Sequence, residues 1–234
     1  MTLDEAEDLI HNPHYFGVMM VESGDADAFI AGYSSKYADT IRPALQITGI
    51  RPEVNYIAGM YIMMTQKGPF FFADTTVNVE PSPEALVDIT LLTAEQVRKF
   101  NIEPHIALLS YSNFGSSTVG SSPDRVRKAV EILHRDHPDL IVDGELQANF
   151  ALNKELMRST FPFSKLVDQQ INTLIFPSLN AGNIAYKMMQ EIGGAEAIGP
   201  ILMGMNKPVH ILQRGYSVRE IVDMTAMAVV DAQK

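Results

Sequence analysis

From Pro81 onward the sequence repeats one pattern: a short apolar run, then a longer stretch with apolar residues at helical spacing. The runs at 105–110, 140–143, 172–176 and 209–212 read as strands, and 123–136, 147–157, 183–192 and 218–232 as helices. Strands separated by helices pair in parallel, because a parallel pair needs a crossover and a helix supplies it. The predicted fold class is therefore α/β, with mostly parallel sheets. The first helix of the series begins after Pro81, where Ser82 can cap, Pro83 takes the first helical position, and Ala85, Leu86, Ile89, Val97 and Phe100 form the apolar stripe. Upstream the rule changes. The apolar runs at 54–64 and 70–74 flank Gln66-Lys67-Gly68-Pro69, a hairpin signal that predicts two antiparallel neighbours.

The N-terminal part reads less regularly. Thr2 and Glu5 have capping-box spacing, with Leu3, Ala6, Leu9 and Ile10 apolar behind them, so a helix opens the chain. The segments 18–21 and 28–32 read as short buried strands, and 38–47 as a helix with Pro43 near its first turn. Arg51-Pro52-Glu53 and Gly199-Pro200 are the expected breaks. They predict part of a first α/β subdomain over 1–52, a second over 53–199, and a return to the first over 200–234.

Composition narrows the function. With 46% hydrophobic and 20% charged residues, 234 residues suffice for a sizeable core, which excludes the disordered and disulfide-scaffold classes. A net charge of -10 argues against a nucleic-acid surface, since phosphate backbones are bound chiefly by positive charge. The chain has no cysteine, hence no disulfide, thiolate metal site or nucleophilic thiol, which fits a reducing compartment. No apolar stretch approaches the roughly 20 residues of a membrane span, and the acidic start is unlike a secretory signal. A cytoplasmic location, with no membrane partner, is expected. The 28 acidic residues are dispersed and read as solvated surface. The histidines show no H-x-x-x-H spacing, so no metal site is expected, and His134 and His137 before Pro138 suit a helix C-terminus. The 13 methionines read as core filler.

In open α/β sheets, ligands bind beyond the carboxyl ends of strands. Four such ends carry polar loops: Gly32 to Ser35 leading to Arg42, Ser110 to Ser117, Phe176 to Asn183, and Gln213 to Ser217. Hydroxyls, amides, helix N-termini and arginines together have the chemistry of a phosphate pocket, although no Walker loop or GxGxxG fingerprint is present. Ser34, Ser35, Ser116 and Ser117 have an ordinary reading as caps, as do Asn180 and Asn183 around Gly182. Arg42 and Arg214 gain little from a helix start or a glycine turn and need an anionic partner, either a ligand or one of the chain's own acids. Glu220 stands at capping-box spacing from Ser217.

The runs Phe176 to Lys187, Gly194 to Leu202, Asp143 to Gln147 and Asp39 to Gln46 resemble those of the phosphate acetyltransferase (phosphotransacetylase) family across nearly the whole chain. The resemblance implies two α/β subdomains of the isocitrate/isopropylmalate dehydrogenase-like kind, usually dimeric, and acetyl transfer between phosphate and coenzyme A in a cleft between them. It also implies further βα units before the position of Met1, which the sequence here lacks. Arg42 and Arg214 fit the phosphate-holding positions and Glu220 that of the acid that deprotonates the thiol. Gln213 departs from a serine at the reacting centre.

The run from His210 to Val222 is most similar to the C-terminal domain of bacterial NADP-dependent malic enzymes, where such a module is a regulatory site for acetyl-CoA. That reading implies Arg42, Asn180, Asn183, Lys187, Gln213 and Arg214 as acetyl-CoA or phosphate ligands. It places NADP and a divalent metal only in an N-terminal malic enzyme part outside the sequence, makes that part a partner, and gives the fragment no cofactor of its own. An active phosphate acetyltransferase is the alternative.

Overall fold

The computed structural model describes residues 2–117 and 119–233. In chain order the elements are α1 (Leu3–Ile10), α2 (Pro13–Ser23), β1 (Phe29–Ala31), α3 (Tyr37–Ile47), β2 (Ala58–Thr65), β3 (Gly68–Ala73), α4 (Pro83–Arg98), β4 (Ile106–Leu109), α5 (Ser121–Asp136), β5 (Val142–Leu146), α6 (Ala148–Ala151), α7 (Lys154–Thr160), β6 (Thr173–Ile175), α8 (Leu179–Glu191), β7 (Glu196–Met203), β8 (Val209–Ile211) and α9 (Val218–Ala232). Two compact units result, one of Met1–Ile57 with Ile198–Lys234, the other Ala58–Ala197. No described helix is long and apolar enough to cross a membrane.

The second unit is a sheet in which the strands run in the order β5-β4-β6-β3-β2. β3, β6, β4 and β5 are mutually parallel, while β2 and β3 form the antiparallel hairpin that Gly68-Pro69 signals, in register Thr65↔Gly68 to Tyr61↔Phe72. β4 is buried along its whole length, which is why its sequence is an unbroken apolar run. One core cluster gathers Tyr61, Phe72, Leu109, Leu146 and Leu174 with Tyr186 of α8, whose ring stacks on Tyr61 at 4.1 Å between centroids.

The first unit holds the parallel pair β1–β8, in register Phe29↔Val209 to Ala31↔Ile211, with α2 and α9 against β1 and α3 and α9 against β8. The structure corrects three expectations, two in this unit and one in the second. The run at 18–21 is helical, part of α2, with Val18 and Val21 buried and Met19 and Met20 exposed. That is the spacing of one helix face; a strand would pair Val18 with Met20. The overlooked start signal is Asn12-Pro13, where the Asn12 side chain accepts from the His14 N–H and Pro13 takes the first position. Second, Pro43 lies well inside α3, where it cannot donate to the Asp39 carbonyl, and it is tolerated as part of the buried face Thr40, Pro43 and Ala44.

Third, 147–157 is two short helices, because Asn153 caps α7 by accepting from the Leu156 N–H. β7 was not anticipated, since its apolar residues surround Gly199-Pro200, a pair that reads as a break. The capping boxes at Thr2 and Ser217 and the Ser82 cap form as expected.

Asp74 directly follows β3 and is 1% exposed. One oxygen accepts from the N–H groups of Gly59, Thr76 and Val77 at 2.8–3.1 Å, the other from Asn78 N and Nδ2. The loop it folds is the seat of α8: a Cβ on Gly182 would stand 2.2 Å from the Asp74 carbonyl oxygen. Gly182→Ala should therefore cost about 1–3 kcal/mol, read as a lower midpoint in urea with an unchanged slope.

Candidate functional site

In the first unit, β1 and β8 end side by side, and a Cβ on Gly32 would lie 2.6 Å from the Leu212 carbonyl oxygen. The two loops that follow are thereby neighbours. The first leads into α3, which carries Arg42; the second is the turn Gln213-Arg214-Gly215, with Gly215 at φ 88°. α3 begins at Lys36 without a side-chain cap, so its first N–H groups are left to other acceptors. Ser35 does not cap it, since its Oγ lies 3.0 Å from His14 Nε2.

The guanidinium groups of Arg42 and Arg214 are exposed and make no hydrogen bond or ion pair among the described residues. The other arginines are engaged: Arg51 with Glu53, Arg98 with Glu103, Arg125 with Glu80, Arg127 with Asp124, Arg135 with Asp136 and Arg158 with Asp168, while Arg219 also has a partner. An ion pair with one of the chain's acids is thus absent for these two among the described residues. Gln213 is half-buried, and its side-chain amide is likewise without a hydrogen bond among those residues.

Glu220 makes the cap its spacing suggests. Its Oε2 accepts from Ser217 N and Ser217 Oγ, both at 2.7 Å, while the Ser217 hydroxyl accepts from the Glu220 N–H.

In the second unit, β4 and β6 are adjacent, yet the loop after β4 leads to α5, which packs on β4 and β5, and the loop after β6 to α8, which packs on β2 and β3. This divergence is the topological switch point where open α/β sheets take ligands. α5 starts at Gly120 with no side-chain cap. Ser116 and Ser117 fold the preceding loop instead of capping the helix, the Ser116 hydroxyl accepting from Asn113 N and that of Ser117 from Val119 N.

α8 starts at Leu179, earlier than 183, and Ser178 is its cap. Asn180 and Asn183 therefore sit within its first turns and do not cap it. Asn183 Nδ2 donates to the Thr75 carbonyl at 3.2 Å, whereas Asn180 is exposed and its side chain uncommitted among the described residues. Lys187 is exposed, its Nζ 5.7 Å from the Tyr186 ring centroid.

Buried carboxylates are what the dispersed acids concealed. Asp143 accepts from Gly144 N, Ser164 Oγ and Lys165 N at 2.7–2.9 Å. Glu145, 0% exposed, accepts at Oε1 from Gly115 N, and so pins the loop after β4 from below. With Asp74 these groups are structural, not solvated. The sequence signal was an acidic residue at the end of an apolar strand run, a place where solvation is not available. Among the described residues no group of three or more histidines or acids could hold a metal ion.

The model of the phosphate acetyl/butaryl transferase family matches residues 1–229. The chain belongs to that family. It is 39% identical to the phosphate acetyltransferase of Clostridium acetobutylicum over 100% of this chain and 72% of that one. It is 41% identical to the NADP-dependent malic enzyme of Escherichia coli over 96% of this chain and 30% of that one. The solved phosphotransacetylase from Streptococcus pyogenes superposes with a TM-score of 0.93 at 40% identity, covering 99% of this chain and 70% of that one. The family's two-part α/β fold, with mostly parallel strands and one antiparallel pair, is the fold found here.

Ser217→Ala should lower stability by about 1 kcal/mol. Glu220→Gln, whose amide oxygen can still reach the Ser217 N–H, should cost less. Thermal unfolding of the two variants side by side checks the order.

Proposed function

We propose that this chain transfers an acetyl group between acetyl phosphate and coenzyme A. The observation that carries the reading is the uncommitted pair Arg42 and Arg214, in a chain of net charge -10 whose other arginines are engaged. A planar guanidinium matches phosphate oxygens with two parallel hydrogen bonds, so two free ones are suited to a dianionic phosphoryl group.

In the forward direction the thiolate sulfur attacks the carbonyl carbon, the C–S bond forms, the C–O bond to phosphorus breaks, and inorganic phosphate leaves with the bonding pair. Arg42 and Arg214 would hold the phosphate oxygens and offset the charge that grows on them. Glu220 is the candidate base for the thiol proton. Its Oε1 has no hydrogen bond among the described residues, so proton uptake there leaves the Ser217 cap intact. Asn180, Asn183 and Lys187 are assigned to the coenzyme, Asn183 through the oxygen that its bond to Thr75 leaves open.

Gln213 favours a second reading. Its amide stands where the resemblance implies a hydroxyl, and binding without that group poised at the carbonyl gives occupancy without turnover. The domain would then hold acetyl-CoA as a regulatory ligand of an NADP-dependent malic enzyme, the oxidative decarboxylation of malate to pyruvate residing in another part.

Formation of acetyl-CoA from acetyl phosphate and coenzyme A, followed by thioester absorbance, tests this. Turnover is expected, with kcat/KM lowered by about 100-fold or more in Arg42→Ala and Arg214→Ala. Absence of turnover together with calorimetric binding of acetyl-CoA would replace the first reading by the second, and absence of both would overturn the two together.

A further inference from the structure

The turn that presents Gln213 and Arg214 has one internal backbone bond, Tyr216 N to the Gln213 carbonyl at 3.4 Å, and the Tyr216 hydroxyl donates to the Gly199 carbonyl. Leu212 N is tied to Ala31 O at 2.7 Å before it, the Ser217 cap closes it after, and Gly215 between them has open space where a Cβ would be. Beyond the Tyr216 contacts, its geometry is set by β8 and α9, which flank it.

Those two elements are joined by a buried histidine–carboxylate contact. His210, in the middle of β8, is 0% exposed, and its Nε2 lies 3.0 Å from Asp231 Oδ2 near the end of α9. The ring makes no well-aligned hydrogen bond, so the contact is one of proximity between two polar groups. Asp231 is 8% exposed, and it stands in the C-terminal turn of a helix that has no basic residue there, where the macrodipole already carries negative charge. A buried carboxylate in that place needs polar neighbours, and His210 is one of them.

We propose that His210 and Asp231 are positioning residues for the anion site. The pair fixes the register of α9 on β8 and so sets the conformation of the Gln213–Ser217 turn that holds out Arg214. The inference rests on the reading of Arg214 as an anion-binding group, and predicts that loss of the pair weakens the phosphoryl ligand selectively.

Asp231→Ala in the full chain, measured by amide hydrogen exchange and by calorimetry with acetyl phosphate and separately with coenzyme A, tests it. Amides of 212–218 should exchange about tenfold faster while those of 58–197 keep their protection. Acetyl phosphate affinity should fall by about tenfold or more, with coenzyme A affinity held within about twofold. If Asp231→Ala does not fold, His210→Gln carries the same expectations.

A folded variant with unchanged exchange at 212–218 and unchanged affinities would overturn the proposal. So would both affinities falling together with protection lost throughout the first unit. Failure of the wild type to bind acetyl phosphate, with no effect of Arg214→Ala on either ligand, would sink the reading of the site. Exchange at 212–218 would then decide alone whether the pair positions the turn, faster exchange supporting it and unchanged exchange overturning it.

Discussion

Main-chain N–H groups converging on buried carboxylates hold the loops of the second unit in place. Asp74 shows the principle most fully: with almost no contact with water, its charge is solvated by four backbone donors and one side-chain amide. A carboxylate so surrounded is stable in the interior, since each charge-assisted bond replaces one to water. In return the loop after β3 has one conformation, and α8 can be seated against it at glycine distance. Glu145 does the same for the loop after β4 through Gly115, and Asp143 for the segment that leads to β6. The polar loops at the strand ends are thus held by charge from within.

This arrangement separates two populations of charged side chains. The inward-facing acids Asp74, Asp143 and Glu145 are spent chiefly on backbone donors, and most arginines on neighbouring acids, so the local charge balance is largely closed. Arg42 and Arg214 stand outside it, and both follow the neighbouring strands β1 and β8. A net negative protein that leaves two guanidiniums without partners among the described residues has room for an anion there, where long-range repulsion is offset locally. Glu220 joins the two roles, one carboxylate oxygen serving a helix cap and the other left open.

Much of this was legible in the residues. The strand and helix alternation after Pro81 gave the parallel sheet, because strands buried on both faces must be short apolar runs and crossovers must be amphipathic. The hairpin followed from Gly68-Pro69, and the caps at Thr2, Ser82 and Ser217 from hydroxyls at the right distance before apolar stripes. The run at 18–21 was misread because four apolar residues in a row fit either period, and only burial separates them. The role of Asn183 was hidden for another reason: its partner, the Thr75 carbonyl, is supplied by a loop distant in sequence. Likewise Asp74, Asp143 and Glu145 looked like surface acids, since burial of a single carboxylate depends on donors that no local pattern names. The freedom of Arg42 and Arg214 was legible only as a need for a partner; that no acid meets it is a property of the folded chain.

The central claim is that these two arginines are held free for a phosphoryl group. Side-chain Nε–Hε resonances of the arginines, assigned by substitution and followed during titration with acetyl phosphate, test it most directly. The account predicts saturable shifts at Arg42 and Arg214, with the ion-paired arginines unmoved. Shifts confined to the paired arginines, or none at Arg42 and Arg214 at saturating ligand, would contradict it.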